Sequence, residues 1–492
     1  MKAVSGRWHR QVLLLSIAFT LSGASFLDAG LAQARDLDYF VPVNFRNGQV
    51  EKFVAPTYSQ SDLKKLKRFL TEKGTLDLRR YSSGGHSAVT IGTDRSLESA
   101  ISGLLIMHWD RDNIMQALAE REDGLSQWHS GLKASLRHHY RYRHRFTDII
   151  EGKSDKKNQM QRPHIRYNAA SLDELSEPWG HAQNDALSFI TFLLFYDALE
   201  SGRSIEGQEA LAYAVLLPHY LDAVKVEHDL EMGAWEDKRA VHASSLLVVL
   251  AALRQEYEYV TRHGTITAKI DGREYRVDEA FLRRLMGRVE KSLKTILPNE
   301  YVESDQNDTR ADKSKVRKYD SALVNGLLLG ALSANGIISD KMTATVLAGL
   351  EANLMGADGV ARYPHDIWDG RTDRHDLKRG QEAQWCHVSP LMSVVYGDLY
   401  RRTGHKVYFD KQTEHFNRAL SHINERYAIP EAYIVEPPGA GKAGSNAKEK
   451  TKVNWIADAN EPLAWGQAAL RLAFNGMEKS LVHSADLKKT HK

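Results

Sequence analysis

Six short stretches of this chain concentrate the side chains that could do chemistry on a sugar. They are "HWDRDN" (Trp109, Arg111, Asp112), "EPWGHAQNDAL" (Trp179, Gln183, Asp185) and "GAWEDK" (Trp235, Glu236, Asp237). Further on come "ARYPHDIWDG" (Arg362, Asp366), "GQEAQWCH" (Trp385) and "IPEAYIVE" (Glu431). Flat indole faces suit the C–H surface of a pyranose, and Asp, Asn, Gln and Arg suit its hydroxyls. Two carboxyls can act as acid and base across a glycosidic bond. Taken one at a time, each stretch also has a structural reading, because an acidic residue at a helix start complements the dipole and caps free N–H groups. Arg111 and Asp112, adjacent in sequence, could form a structural ion pair.

Other chemistries lack their residues. The histidines are scattered rather than spaced for a metal, and no metal or redox cofactor is expected. There is no G-x-S-x-G elbow, no Walker loop and no G-x-G-x-x-G after a strand. The charge is nearly balanced, 66 basic against 63 acidic residues, so nothing points to nucleic acid. The one cysteine, Cys386, excludes an intramolecular disulfide and reads as a buried residue.

These stretches must be held by helices. Apolar residues recur at three- and four-residue steps through about a dozen segments, for instance "DALSFITFLLFYDALESG" and "HASSLLVVLAALRQEYEYV". Earlier ones include "SDLKKLKRFLTEKG", "SLESAISGLLIM" and a helix around Leu125–Arg137. Strand signals are weak, although "GTITAKIDGREYRV" fits a short hairpin. Such a run without long linkers suggests hairpins closed into a ring, an all-α fold. In a ring every second connection lies on one face, so the six stretches would meet at one cavity. "LRHHYRYRHRF" (136–146) reads as the solvated end of a helix, and 435–452 as a long polar loop.

The ends read differently. "MKAVSGRWHRQ" is basic, "VLLLSIAFTLSGASFL" is apolar, and "LAQA" closes an A-x-A-type site at Ala34. Residues 1–34 are therefore expected to be a cleaved signal peptide of a bacterial periplasmic or secreted protein, with no membrane anchor afterwards. Residues 35–57 are expected to be extended and packed on the ring, 58–478 to form the catalytic domain, and the basic tail 479–492 to fray.

The same six stretches, in their order, resemble glycoside hydrolase family 15, the glucoamylase and glucodextranase group. The resemblance is nearest to the glucoamylase-like domain of the phosphorylase kinase alpha and beta regulatory subunits. "HWDRDN" resembles W-x-R-D-[SN], and "WGHAQNDAL" resembles W-G-[HR]-[AP]-Q-x-D. "WED" resembles W-E-E, "RYPHDIW" resembles R-Y-x-x-D-x-[YW], and "IPEAY" and "PLAWGQA" resemble the last two motifs. It implies an (α/α)6 toroid, a six-hairpin barrel with its site at one mouth. It implies Glu236 as general acid and Glu431 as general base of an inverting hydrolase releasing β-glucose from non-reducing ends. Arg111 and Asp112 are implied to hold the terminal sugar, Arg362 to bind beside the acid, and Trp179 and Trp385 to form walls. Asp237 stands where the hydrolases usually have a second Glu, and Ala432 where they often have Gln. These departures leave room for a carbohydrate-binding or regulatory protein without turnover, or for a ring enzyme of another glycan. Asp237 beside Glu236, together with a dry pocket, is expected to keep the acid protonated.

Overall fold

Two kinds of helix alternate along the chain, and their burial explains the alternation. The structure is a computed structural model and describes residues 43–89, 104–305, 315–333, 336–370, 372–437 and 453–490. Among the described residues the first helix longer than one turn is α1 (Gln60–Glu72), followed by α2 (Asp110–Glu122), α3 (Trp128–Arg141) and the short α4 (His144–Ile150). Next come α5 (Asn184–Ser201), α6 (Gln208–Val224), α7 (Ala243–His263) and α8 (Glu279–Ile296). Then α9 (Leu323–Leu332), α10 (Asp340–Leu354), α11 (Val388–Thr403), α12 (Lys406–Ser421) and α13 (Ala464–Thr490) complete the set.

In α5 every side chain from Asn184 to Tyr196 is buried, and in α11 every one from Val388 to Tyr400. A helix buried on all sides needs partners all round it. By contrast, α1 buries only the stripe Leu63, Leu66 and Leu70, and α8 only Leu282, Leu285, Val289, Leu293 and Ile296. These helices shield a core from water. The packing follows: α2 touches α5, α5 touches α7, α7 touches α9, α9 touches α11, α11 touches α13, and α13 returns to α2. Six inner helices thus close into a ring. Around it, α3 lies on α2, α8 on α7, α10 on α9, α12 on α11 and α1 on α13, while α6 lies against α5. This is the expected (α/α)6 toroid.

Short strands pin the connections. β1 (Met107–Trp109) pairs with β2 (Arg166–Asn168) and sets Trp109 opposite Arg166. The expected hairpin is present as β3 (Ile266–Ile270) and β4 (Arg273–Val277), turned by Asp271 and Gly272, both at positive φ. β5 (Gln384–Trp385), β6 (Ala432–Val435) and β7 (Trp455–Ala457) form one antiparallel sheet that sets Trp385 opposite Ala432, next to Glu431.

Some expectations change. The helix expected at "SLESAISGLLIM" falls largely outside the described residues; Leu104, Leu105 and Ile106 are helical as expected, and only its end, Met107, is in β1. The tail expected to fray is helical to Thr490, and its first part is docked on α11, where the Arg401 guanidinium donates to Ser480 Oγ at 3.1 Å and Tyr400 meets His483 edge-on. The "LRHHYRYRHRF" patch is not all solvated, for His138 and His139 are buried and His139 Nε2 lies 2.8 Å from Asp110 Oδ2. Arg46 and Asn47 anchor the N-terminal segment on the ring through Asp358 and the Asn424 carbonyl, with a single helical turn, Gly48–Glu51, in place of a fully extended path. The expected leader at 1–34 and most of the polar loop at 435–452 lie outside the described residues.

Gly326 marks the tightest inner crossing, since a Cβ there would sit 2.3 Å from Leu247 Cβ. Both atoms are fixed by backbone, so α9 and α7 would have to part. Gly326→Ala is expected to destabilise the ring by about 1–3 kcal/mol through overpacking, read as a lower urea midpoint.

Candidate active site

A cavity of about 740 Å³ opens at the mouth where the inner helices begin. The residues just before or at the starts of α2, α5, α7, α11 and α13 line it, so several helix N-termini face one space. Eleven of the thirteen candidate residues line it: Trp109, Arg111, Asp112, Trp179, Trp235, Glu236, Asp237, Arg362, Asp366, Trp385 and Glu431. The other two stand immediately behind. Asp185 accepts from Arg111 Nε at 2.8 Å and Nη2 at 3.1 Å, and Gln183 Oε1 accepts from Nη2 at 2.7 Å. Arg111 is therefore paired with Asp185 across 74 residues, not with its neighbour Asp112 as the adjacency suggested.

The walls are two aromatic pairs, each with an arginine. Trp109 and Trp179 meet edge-on at 6.2 Å, with Arg166 at 4.0 Å over the Trp179 ring. Trp235 and Trp385 lie 5.5 Å apart, with the Arg362 guanidinium 5.5 Å and 5.2 Å from their centroids. Arg362 is held flat by a two-pronged bond to Asp366, at 2.6 and 2.7 Å.

The carboxyls divide into two groups. Glu236 Oε1 accepts from Gln183 Nε2 at 2.8 Å, and Glu431 Oε2 accepts from Asn460 Nδ2 at 2.6 Å. Both are raised above the ordinary glutamate value, chiefly by burial. Arg111 opposes this at Glu236, as do Asn460 and Arg362 at Glu431, where the Glu236 charge adds to the rise. Asp112 is pushed up to about 7 by burial and by Glu431 and Glu236, against the pull of Arg111. Asp237 behaves oppositely. Burial would raise it, but Arg317 and Arg362 outweigh burial and hold it well below the usual carboxylate range. The expectation that Asp237 keeps Glu236 protonated is thus corrected: its charge is spent on arginines, and burial does that work. Glu236 also sits at φ 57°, a left-handed conformation that costs a non-glycine residue about 1–3 kcal/mol and collects at functional sites.

Asn460 and Trp465 also belong to the cavity wall. Trp465 lies within the "PLAWGQA" motif, whereas "DANEP" around Asn460 carries no signal beyond its place before α13. Among the described residues no group of three or more His, Cys, Asp or Glu is arranged to hold a metal ion.

The family description "Glycosyl hydrolases family 15" matches residues 106–464. Similar solved structures include a glycosidase variant in complex with glucose, at TM-score 0.57 and 14% identity, covering 87% of this chain and all 100% of that one. Another is a glucoamylase from Saccharomycopsis fibuligera, at TM-score 0.54 and 14% identity, covering 90% of this chain and 98% of that one. A glucoamylase of Hormoconis resinae aligns at TM-score 0.51 and 10% identity, covering 85% and 74%. Among curated proteins none matches the chain.

The pairing of Arg111 is testable without substrate. Asp185→Asn strands a buried guanidinium and is expected to cost about 3 kcal/mol in urea unfolding. Asp112→Asn is expected to leave the midpoint near that of the unaltered protein.

Proposed function

Because the chain belongs to the glycosyl hydrolases family 15, we propose that it is an exported, inverting α-glucoside hydrolase that releases β-glucose from non-reducing ends of an α-glucan or α-glucoside. The observation that carries this reading is the pair Glu236 and Glu431: two carboxyls in one tryptophan-walled cavity, each accepting from a side-chain amide. The export part rests on the N-terminal sequence alone, with its basic, apolar and A-x-A segments. One similar structure holds glucose, which agrees with a sugar in this cavity.

The mechanism needs one proton on the pair. Two interacting carboxyls release their protons in separate steps, and between them the pair holds one proton. Glu236, kept protonated by burial, donates to the leaving glycosidic oxygen. Glu431, ionised, takes a proton from a water that attacks the anomeric carbon from the opposite face. Asn460 fixes the orientation of Glu431, and Gln183 that of Glu236. Trp179 and Trp385 offer faces to the sugar ring. Arg111, Asp112, Arg362 and Asp366 offer the polar groups for its hydroxyls, and the positive charge near the acid comes from Arg111 and Arg166, while Arg362 acts on Glu431. No metal or cofactor enters any step.

Glu236→Gln and Glu431→Gln are each expected to lose about 10²–10⁴-fold in kcat on maltose, isomaltose or dextrins while unfolding at normal urea concentrations. A variant with full activity would remove that residue from its role, and an unaltered enzyme that cleaves none of these sugars would refute the reading. The pH profile follows from the shifts. Activity falls in acid as Glu431 gains its proton and falls in alkali as Glu236 loses its own. Both carboxyls are raised, so both limbs of kcat/KM are expected above the ordinary glutamate value of about 4.3.

A further inference from the structure

We propose that the buried Arg317–Asp320 pair is a positioning device for Glu236, gripping the residue on each side of it. The proposal rests on the reading of Glu236 as the acid. Asp320 Oδ1 accepts from the Trp235 indole Nε1 at 2.6 Å. Its other oxygen, Oδ2, accepts from Arg317 Nη1 at 2.9 Å, and Arg317 Nη2 donates to Asp237 Oδ2 at 3.3 Å. One ion pair therefore holds both neighbours of Glu236. The side chains of Arg317 and Asp320 are 3% and 1% exposed, and neither lines the cavity, so neither can touch substrate there.

The pair is itself fixed. Asp320 Oδ1 also accepts from the Ala322 N–H as the chain enters α9, and the Arg317 guanidinium lies 3.5 Å from the centre of the Tyr363 ring, beside Arg362. It ties the "WED" loop to the start of α9 and to the "RY" segment that carries the pocket arginine. With Trp235 and Asp237 both drawn toward α9, the residue between them takes the left-handed backbone at φ 57° and turns its carboxyl the other way, onto Gln183 at the start of α5. Strain of this kind persists only where the surroundings over-determine it. Two tethers one residue apart on either side are such surroundings. The short Asp237 also gains a reason: one oxygen of its carboxylate serves the arginine of this pair.

The test uses Arg317→Lys, which keeps the charge but loses the fork, and Asp320→Asn, which keeps an oxygen for the indole and the helix start but loses the ion pair. The groups that face Glu236 and set its proton affinity, Arg111, Arg166, Gln183, Trp179, Asp112 and Glu431, are untouched by either change. Each variant is expected to lose about 10²-fold in kcat with KM within a few-fold, the loss that a misplaced catalytic group brings. The alkaline limb should move to lower pH, because a loosened Glu236 gains water and ionises more easily. Amide exchange should rise across Gly233–Ala240 with the rest of the ring unchanged. Folded variants with unaltered kcat, alkaline limb and loop exchange would overturn the proposal. So would two variants that fail to fold, since the pair would then belong to the scaffold. If the unaltered protein cleaves no glucoside, the proposed function fails, and the exchange measurement alone decides the clamp.

Discussion

Charge burial at the mouth of the ring governs the rest of the structure. Guanidinium groups placed there lose water and must be met by carboxylates at good geometry. Arg111 takes Asp185, Arg362 takes Asp366, and Arg317 takes both Asp320 and Asp237. Glu236, Glu431 and Asp112 line the same cavity. Glu236 and Glu431 face amides, which orient a carboxyl without fixing its proton. The arginines thus set apart the carboxylates held in these ion pairs from the two bonded to Gln183 and Asn460.

The toroid makes such pairing possible. Arg111 and Asp185 stand at the starts of adjacent inner helices, α2 and α5, and meet because those helices touch. Glu236 and Glu431 come from opposite sides of the ring and reach one space because the helices after them, α7 and α13, both begin at the same mouth. The three-stranded sheet seats Glu431 beside Trp385, and the Arg317–Asp320 pair seats Glu236 beside Trp235. The outer helices, some with a single apolar stripe such as α1 and α8, cover the ring from outside.

Much of this was legible in the residues. The helices were visible as apolar periodicity, though not which of them form the inner ring, and the ordered tryptophan–acid stretches pointed to one mouth. Membership in the family and the ring follow from the same stretches. What stayed hidden were partnerships between residues distant along the chain. Arg111 next to Asp112 looked like an ion pair, yet Asp185 is the partner, because a guanidinium at a helix start reaches across to the adjacent helix more easily than back onto its own first turn. Asp237 looked like a charge acting on its neighbour, yet its side chain points to Arg317, itself in a stretch, "KVRKYDSAL", with no catalytic signature. Asn460 lies in an unmarked loop and is recognisable only once Glu431 is in place. The docking of the tail's first part on α11 is a contact that no local pattern announces.

The central claim is that Glu236 and Glu431 act as acid and base on opposite faces of an α-glucoside, so the anomeric carbon inverts. Proton NMR of the first-formed product resolves this before mutarotation. The account predicts that the glucose signal appears as the β-anomer and converts slowly to the equilibrium mixture. Initial release of the α-anomer from the α-linked substrate would contradict it.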